Sequence, residues 1–148
     1  MMLISFLGQA IGFLIFIGVI VLIVKSTKLH PEQFELMDGE EIIKNVKGDY
    51  WQKTLGQETQ NSGEFAFTNK RVMFRSMFQW FGGLNITISY NEIVSVEKAN
   101  VKGIMPVAFI INIVNGESYK FAIMKRDIYI DLINSIIQKT KEENAQAQ

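Results

Sequence analysis

From Met1 to Val24 the chain carries no Asp, Glu, Lys, Arg or His, and from Leu3 onward this run is dominated by Leu, Ile, Val and Phe. As a helix it would rise about 33 Å at 1.5 Å per residue, enough to cross a hydrocarbon core of about 30 Å. A cleaved signal peptide would have a positive n-region, a shorter apolar stretch and small residues at a cleavage site, whereas this run stops at Lys25-Ser26-Thr27-Lys28. Residues 1–24 are therefore expected to form an uncleaved, single transmembrane helix. Lys25 and Lys28 flank only its C-terminal end, so the positive-inside bias places the rest of the chain on the cytoplasmic side of the cell membrane. Gly8 and Gly12 form a Gly-x-x-x-Gly pair. That spacing fits close helix–helix approach and a homo-oligomer, and it also fits the general abundance of glycine in spanning helices.

With 148 residues in all, the remainder has room for one domain of roughly 110 residues and for one core. The 15 Lys and Arg balance the 15 Asp and Glu, so no global field draws the chain to nucleic acid. Without cysteine there is no disulfide, thiolate metal site or cysteine nucleophile. Residues 25–38 show no sustained periodicity and read as a juxtamembrane linker containing Pro31.

After the linker the pattern switches to period two with frequent turn residues, the signature of an antiparallel sheet or barrel. Glu41 to Trp51 reads as a first strand, with Gly48 marking a bulge or bend, and Gln52 to Ser62 reads as a polar loop. Phe65 and Phe67, then Val72 and Phe74, alternate with other residues on either side of a Thr68-Asn69 turn, which predicts a hairpin. Gly82-Gly83 precedes a fourth strand with Leu84, Ile86, Ile88 and Tyr90 on one face, and Asn91-Glu92 turns into a fifth, Ile93 to Ala99. Val107 to Val114 is β-branched and apolar on nearly both faces, which predicts a central strand. Asn115-Gly116 is the strongest hairpin signal and leads into Tyr119, Phe121 and Ile123. Ile128, Leu132, Ile133, Ile136 and Ile137 then recur at helical spacing, predicting an amphipathic helix packed on the sheet. Asp127 suits its first turn, Lys139 and Lys141 suit its end, and residues 141–148 read as a polar tail.

Seven strands followed by one helix, together with particular residues, resemble a known family. Gly39-Glu40-Glu41-Ile42-Ile43, then Gly63-Glu64-Phe65-Ala66-Phe67-Thr68-Asn69-Lys70-Arg71-Val72-Met73-Phe74, looks like the opening of a GRAM domain of the pleckstrin-homology superfold. Ile86-x-Ile88-x-Tyr90-x-Glu92-Ile93, the Gly116-x-x-Tyr119-x-Phe121 strand and Arg126-Asp127 at the helix start are similar to the same family. The resemblance implies an α+β, mainly β fold: a seven-stranded antiparallel barrel or sandwich over residues 39–140, capped by its C-terminal helix. It further implies a scaffold for binding lipids, peptides or other proteins, and fold alone does not select among these.

No catalytic constellation, cofactor motif or metal-ligand spacing stands out, and the lone His30 has no second ligand type beside it, so the chain reads as a non-enzyme. In domains that resemble this one, phosphoinositides meet basic residues around the first hairpins. Here Lys44, Lys47, Lys53, Lys70, Arg71 and Arg75 are candidates, with Lys70, Arg71 and Arg75 foremost, against the alternative of a solvated strand face. Phe78, Trp80 and Phe81, before Gly82-Gly83, suit either a loop meeting the bilayer interface or a partner, or a longer strand entering the core. Val101 to Met105 is a similar loop. The expectation is a membrane-anchored binding or scaffold module that contacts anionic lipid or a protein. The alternative is a non-catalytic subunit of a membrane complex.

Overall fold

The computed structural model describes residues 11–21, 28–54, 56–77 and 83–146. Residues 11–21 are helical (α1) and exposed throughout. Among the described residues no helix is long and apolar enough to cross a membrane. Most of the expected anchor, including Gly8, lies outside the described residues. Gly12 lies on α1 with open space around the position of a Cβ.

Seven strands follow: β1 (Ile42–Thr54), β2 (Gln57–Thr68), β3 (Arg71–Ser76), β4 (Asn85–Ser89), β5 (Ile93–Val101), β6 (Met105–Ile113) and β7 (Ser118–Ala122). They form one antiparallel sheet in the order β4-β3-β2-β1-β7-β6-β5, and a helix, α2 (Arg126–Gln146), closes the chain. The ladder divides in the middle of the long β1–β2 hairpin. On one side of the Gly48–Gly63 pair β3 adds to β2, and on the other β7 adds to β1 from Asp49 onward.

The predicted loop from Gln52 to Ser62 is instead strand. Its residues continue the β1–β2 ladder in register to Thr54 and Gln57, and Gly56 closes the turn at φ +81°. This arm is largely exposed, so it has no alternating apolar residues to announce it, and backbone hydrogen bonds extend it. Gly48 is likewise no bulge, since it pairs directly with Gly63, and the register slips instead between Ile42 and Lys44. β6 is second from an edge rather than central. Its apolar character on both faces reflects two cores. Phe109 and Ile111 join the main cluster, while Ala108 joins Trp51, Val101 and Ala122 in a smaller one.

Phe65, Phe67, Val72 and Phe74 fill the main core as expected, with Phe65 edge-on to Phe121 at 5.0 Å between ring centroids. The phase of α2 differs from the prediction. Tyr129, Ile130, Ile133 and Ile136 are buried, but Ile128 is 57% exposed. Arg126 sets this phase by donating to the carbonyls of Ala99 and Ala108, which turns Tyr129 onto Phe67 at 5.3 Å. The helix runs through residues 141–146, so Lys139 and Lys141 lie before its last turn, where no basic residue stands. Ile133→Val is therefore expected to cost about 1 kcal/mol in chemical denaturation, and Ile128→Val less than about 0.5 kcal/mol.

Candidate functional site

The β2–β3 turn is built around one hydroxyl. Thr68 Oγ1 accepts from the amides of Lys70 (3.1 Å) and Arg71 (2.9 Å) and donates to Glu40 Oε1 at 2.7 Å. The Glu40 carboxylate, which has no exposed side-chain surface, accepts from Arg71 Nε and Nη2, both at 2.9 Å, and from the Met37 amide at 2.8 Å. Burial pushes this carboxyl up, but the bonds from Arg71, Met37 and Thr68 outweigh it and hold the group below its ordinary value of 4.5. Tyr90 donates to the Thr68 carbonyl at 2.9 Å, and burial, aided by the Glu40 charge, keeps its phenol protonated. The Gly-Glu and Thr-x-x-Arg residues of the resemblance are thus one buried ion-paired knot.

The three foremost basic candidates are brought together, but onto the chain itself. Lys70 Nζ donates to the Asp38 carbonyl at 2.5 Å, Arg71 Nη2 to that of Glu35 at 2.8 Å, and Arg75 Nη1 to that of Gln33 at 2.6 Å. Asn69 adds a bond to the Gly39 carbonyl and accepts from the Glu41 amide. At the far end Glu64 accepts from the His30 amide at 2.8 Å and lies 3.2 Å from His30 Nδ1. Residues 30–41, read from sequence as mostly linker, are in this way strapped along β2 and β3. His30 is a strap residue paired with a carboxylate. Phe78, Trp80 and Phe81 lie outside the described residues.

Under the start of the strap is a cavity of about 140 Å³ lined by Lys28, His30, Gln33, Phe34, Lys47 and Arg75, with Glu64, Ser76 and Met77. That volume is several waters' worth. Three permanent cations face one carboxylate, and that carboxylate is engaged by His30. Lys28 and Lys47 form no ion pair among the described residues, and Arg75 Nε is buried without a partner. Such a lining favours a small anionic group. Lys47 was among the sequence candidates. Lys28 and His30 were not, because nothing local in the sequence brings them near Arg75.

The GRAM domain model matches residues 28–142 of the chain. The C-terminal domain of an unknown protein from Leishmania infantum is similar in structure at a TM-score of 0.55 and 17% identity, covering 68% of this chain and 87% of that one. The N-terminal PH domain of Vps36 gives a TM-score of 0.55 at 13% identity over 73% and 86% of the two chains. The linker-DH/PH domains of p115-RhoGEF give 0.51 at 8% identity, covering 70% of this chain but 31% of that one. At these identities the likeness establishes the PH-like fold alone. A comparison with curated proteins gives no match.

Proposed function

The chain belongs to the GRAM domain family, and from that premise we propose that it is a non-catalytic binding module, tethered to the cell membrane by its N-terminal run and holding an anionic lipid headgroup in the strap cavity. The observation that carries this reading is the place of Lys28. It is the second of the two lysines that follow the uncharged run, and it lines the same cavity as Lys47 and Arg75. A tether that ends at a basic cavity delivers that cavity to the headgroup layer at high effective concentration, so modest intrinsic affinity suffices. Lys25 and Lys28 favour the cytoplasmic leaflet, where anionic lipids are enriched.

The test is thermal unfolding of the full chain in nanodiscs of phosphatidylcholine, with and without phosphatidic acid. If the local headgroup concentration is about tenfold above Kd, the domain gains about 1.4 kcal/mol, and its Tm rises by about 5 °C in the anionic discs. Lys28→Gln with Lys47→Gln is expected to abolish that rise while leaving the Tm in neutral discs unchanged, since neither lysine forms an ion pair among the described residues. Equal Tm in both disc types contradicts the reading and favours a subunit whose surfaces meet protein.

A further inference from the structure

Beyond the cavity, and resting on the membrane-tether reading, we propose that the corner of the sheet where β3 and β7 end is a surface that contacts the bilayer interface. A groove of about 330 Å³ opens there, with Met77, Val107 and Met124 along its apolar lining and Gly48 and Gly63 at its floor. Met124 is 76% exposed, and on the adjoining β5–β6 turn Ile104 is 83% and Met105 50% exposed. These residues are neighbours by register. Ala108 pairs with Ala122 and the Ile123 amide donates to the Val107 carbonyl, which brings the start of β6 toward the turn that carries Met124.

Both turns place a lysine in the left-handed region, Lys102 at φ +48° and Lys125 at φ +60°, which disfavours a non-glycine residue by about 1 kcal/mol each. Apolar side chains stand outward here, with Lys47 in the groove lining and Lys102 and Lys125 in the two turns. None of these lysines forms an ion pair among the described residues. An apolar centre with a rim of long cationic side chains matches the bilayer interface, where lysine stems lie along apolar surface and their heads reach anionic groups. The one carboxylate lining the groove, Asp49, accepts from Ser62 Oγ at 2.6 Å.

Chain length selects the bilayer as the occupant. Because residues from His30 onward are strapped to β2 and β3, only the stretch of sequence from Val24 to His30 separates the uncharged run from the strap, rather than the 14 or so residues expected from the sequence. Six residue steps span at most about 22 Å. Lys28, Lys47 and Met77 line one cavity, and Lys47 and Met77 also line the groove. If the run crosses the membrane, the corner is therefore held within reach of the headgroup layer, which is several ångströms deep.

The natural chain has no cysteine, which makes site-directed labelling clean. Nitroxides are placed in the full chain at Ile104→Cys, Met124→Cys and, as a control, Val114→Cys. Val114 is also exposed but sits at the other end of β6, about 30 Å away. The protein is reconstituted in vesicles of phosphatidylcholine and phosphatidylserine, floated, and probed with oxygen and a water-soluble nickel chelate. The expected result is loss of most chelate collisions at 104 and 124, with oxygen collisions kept, and a water-like response at 114. Protein that floats with all three labels water-like overturns the surface and leaves the tether standing. Protein that does not float overturns the tether reading itself.

Discussion

Glu40→Gln is expected to lower the unfolding free energy by about 3–5 kcal/mol, because it strips the charge partner from an Arg71 side chain that is only 13% exposed. The same substitution frays the bonds to Thr68 and Met37 that fix the β2–β3 turn and the end of the strap. Pairing it with Arg71→Met should recover much of the loss, since removing both charges leaves none stranded. The pH dependence has a definite sign. Glu40 titrates below 4.5 when folded and near 4.5 when unfolded, so its contribution is complete above about pH 4.5 and is lost as the pH falls through the folded value. Denaturation curves of the wild type and Glu40→Gln should therefore lie farthest apart near neutrality and converge in acid. A constant gap across that range would show that the carboxylate charge is not what stabilises the knot.

Gly63→Ala is expected to be comparably severe, at about 4 kcal/mol or more, enough to leave the domain unfolded near body temperature. A Cβ at this position would lie 2.2 Å from the Arg75 carbonyl oxygen and 2.7 Å from the Phe74 ring. The first of these is backbone in a paired strand and has nowhere to move. Gly48, opposite, is nearly as confined, with the Ala122 carbonyl oxygen 2.6 Å from its Cβ position. Two facing glycines let β3 and β7 approach the β1–β2 hairpin closely where the ladder divides. Circular dichroism melting checks the prediction, and a Gly56→Ala variant, at an open turn, gives the comparison of a purely conformational penalty.

Much of this architecture was legible in the residues. The Thr68-Asn69 and Asn115-Gly116 turns, the alternating phenylalanines and the isoleucine-rich helix each rest on local chemistry, and each appears where the pattern put it. What escaped was non-local or unpatterned. The exposed hairpin arm has no apolar alternation, so its strands were invisible until their ladder was seen. The phase of α2 was off because Ile128 fits a helical repeat, while Arg126 bonds two strands that precede it by 18 and 27 positions. The strap is the largest such case, since Arg71 meets Glu40 across 31 positions and His30 meets Glu64 across 34. No window on the sequence spans those distances.

The strap changes how the basic hairpin is to be tested. Lys70→Ala with Arg71→Ala, the natural probe of a headgroup patch, removes a buried ion pair and two holds on the strap, so its first effect is on stability. Arg75 shares this double role, because it holds the Gln33 carbonyl and lines the cavity. Lys28 and Lys47 are the informative positions. They report on an anion without releasing the strap.

All of the functional reading depends on the run from Met1 to Val24 holding the domain at a bilayer. Alkaline carbonate extraction of membranes from cells producing the full chain tests this most directly. The chain is expected to stay wholly in the membrane pellet at high pH, and a variant with Ile15→Lys and Val19→Lys to be released. Release of the wild-type chain into the carbonate supernatant would contradict the tether, and with it the placement of the cavity and the corner against lipid.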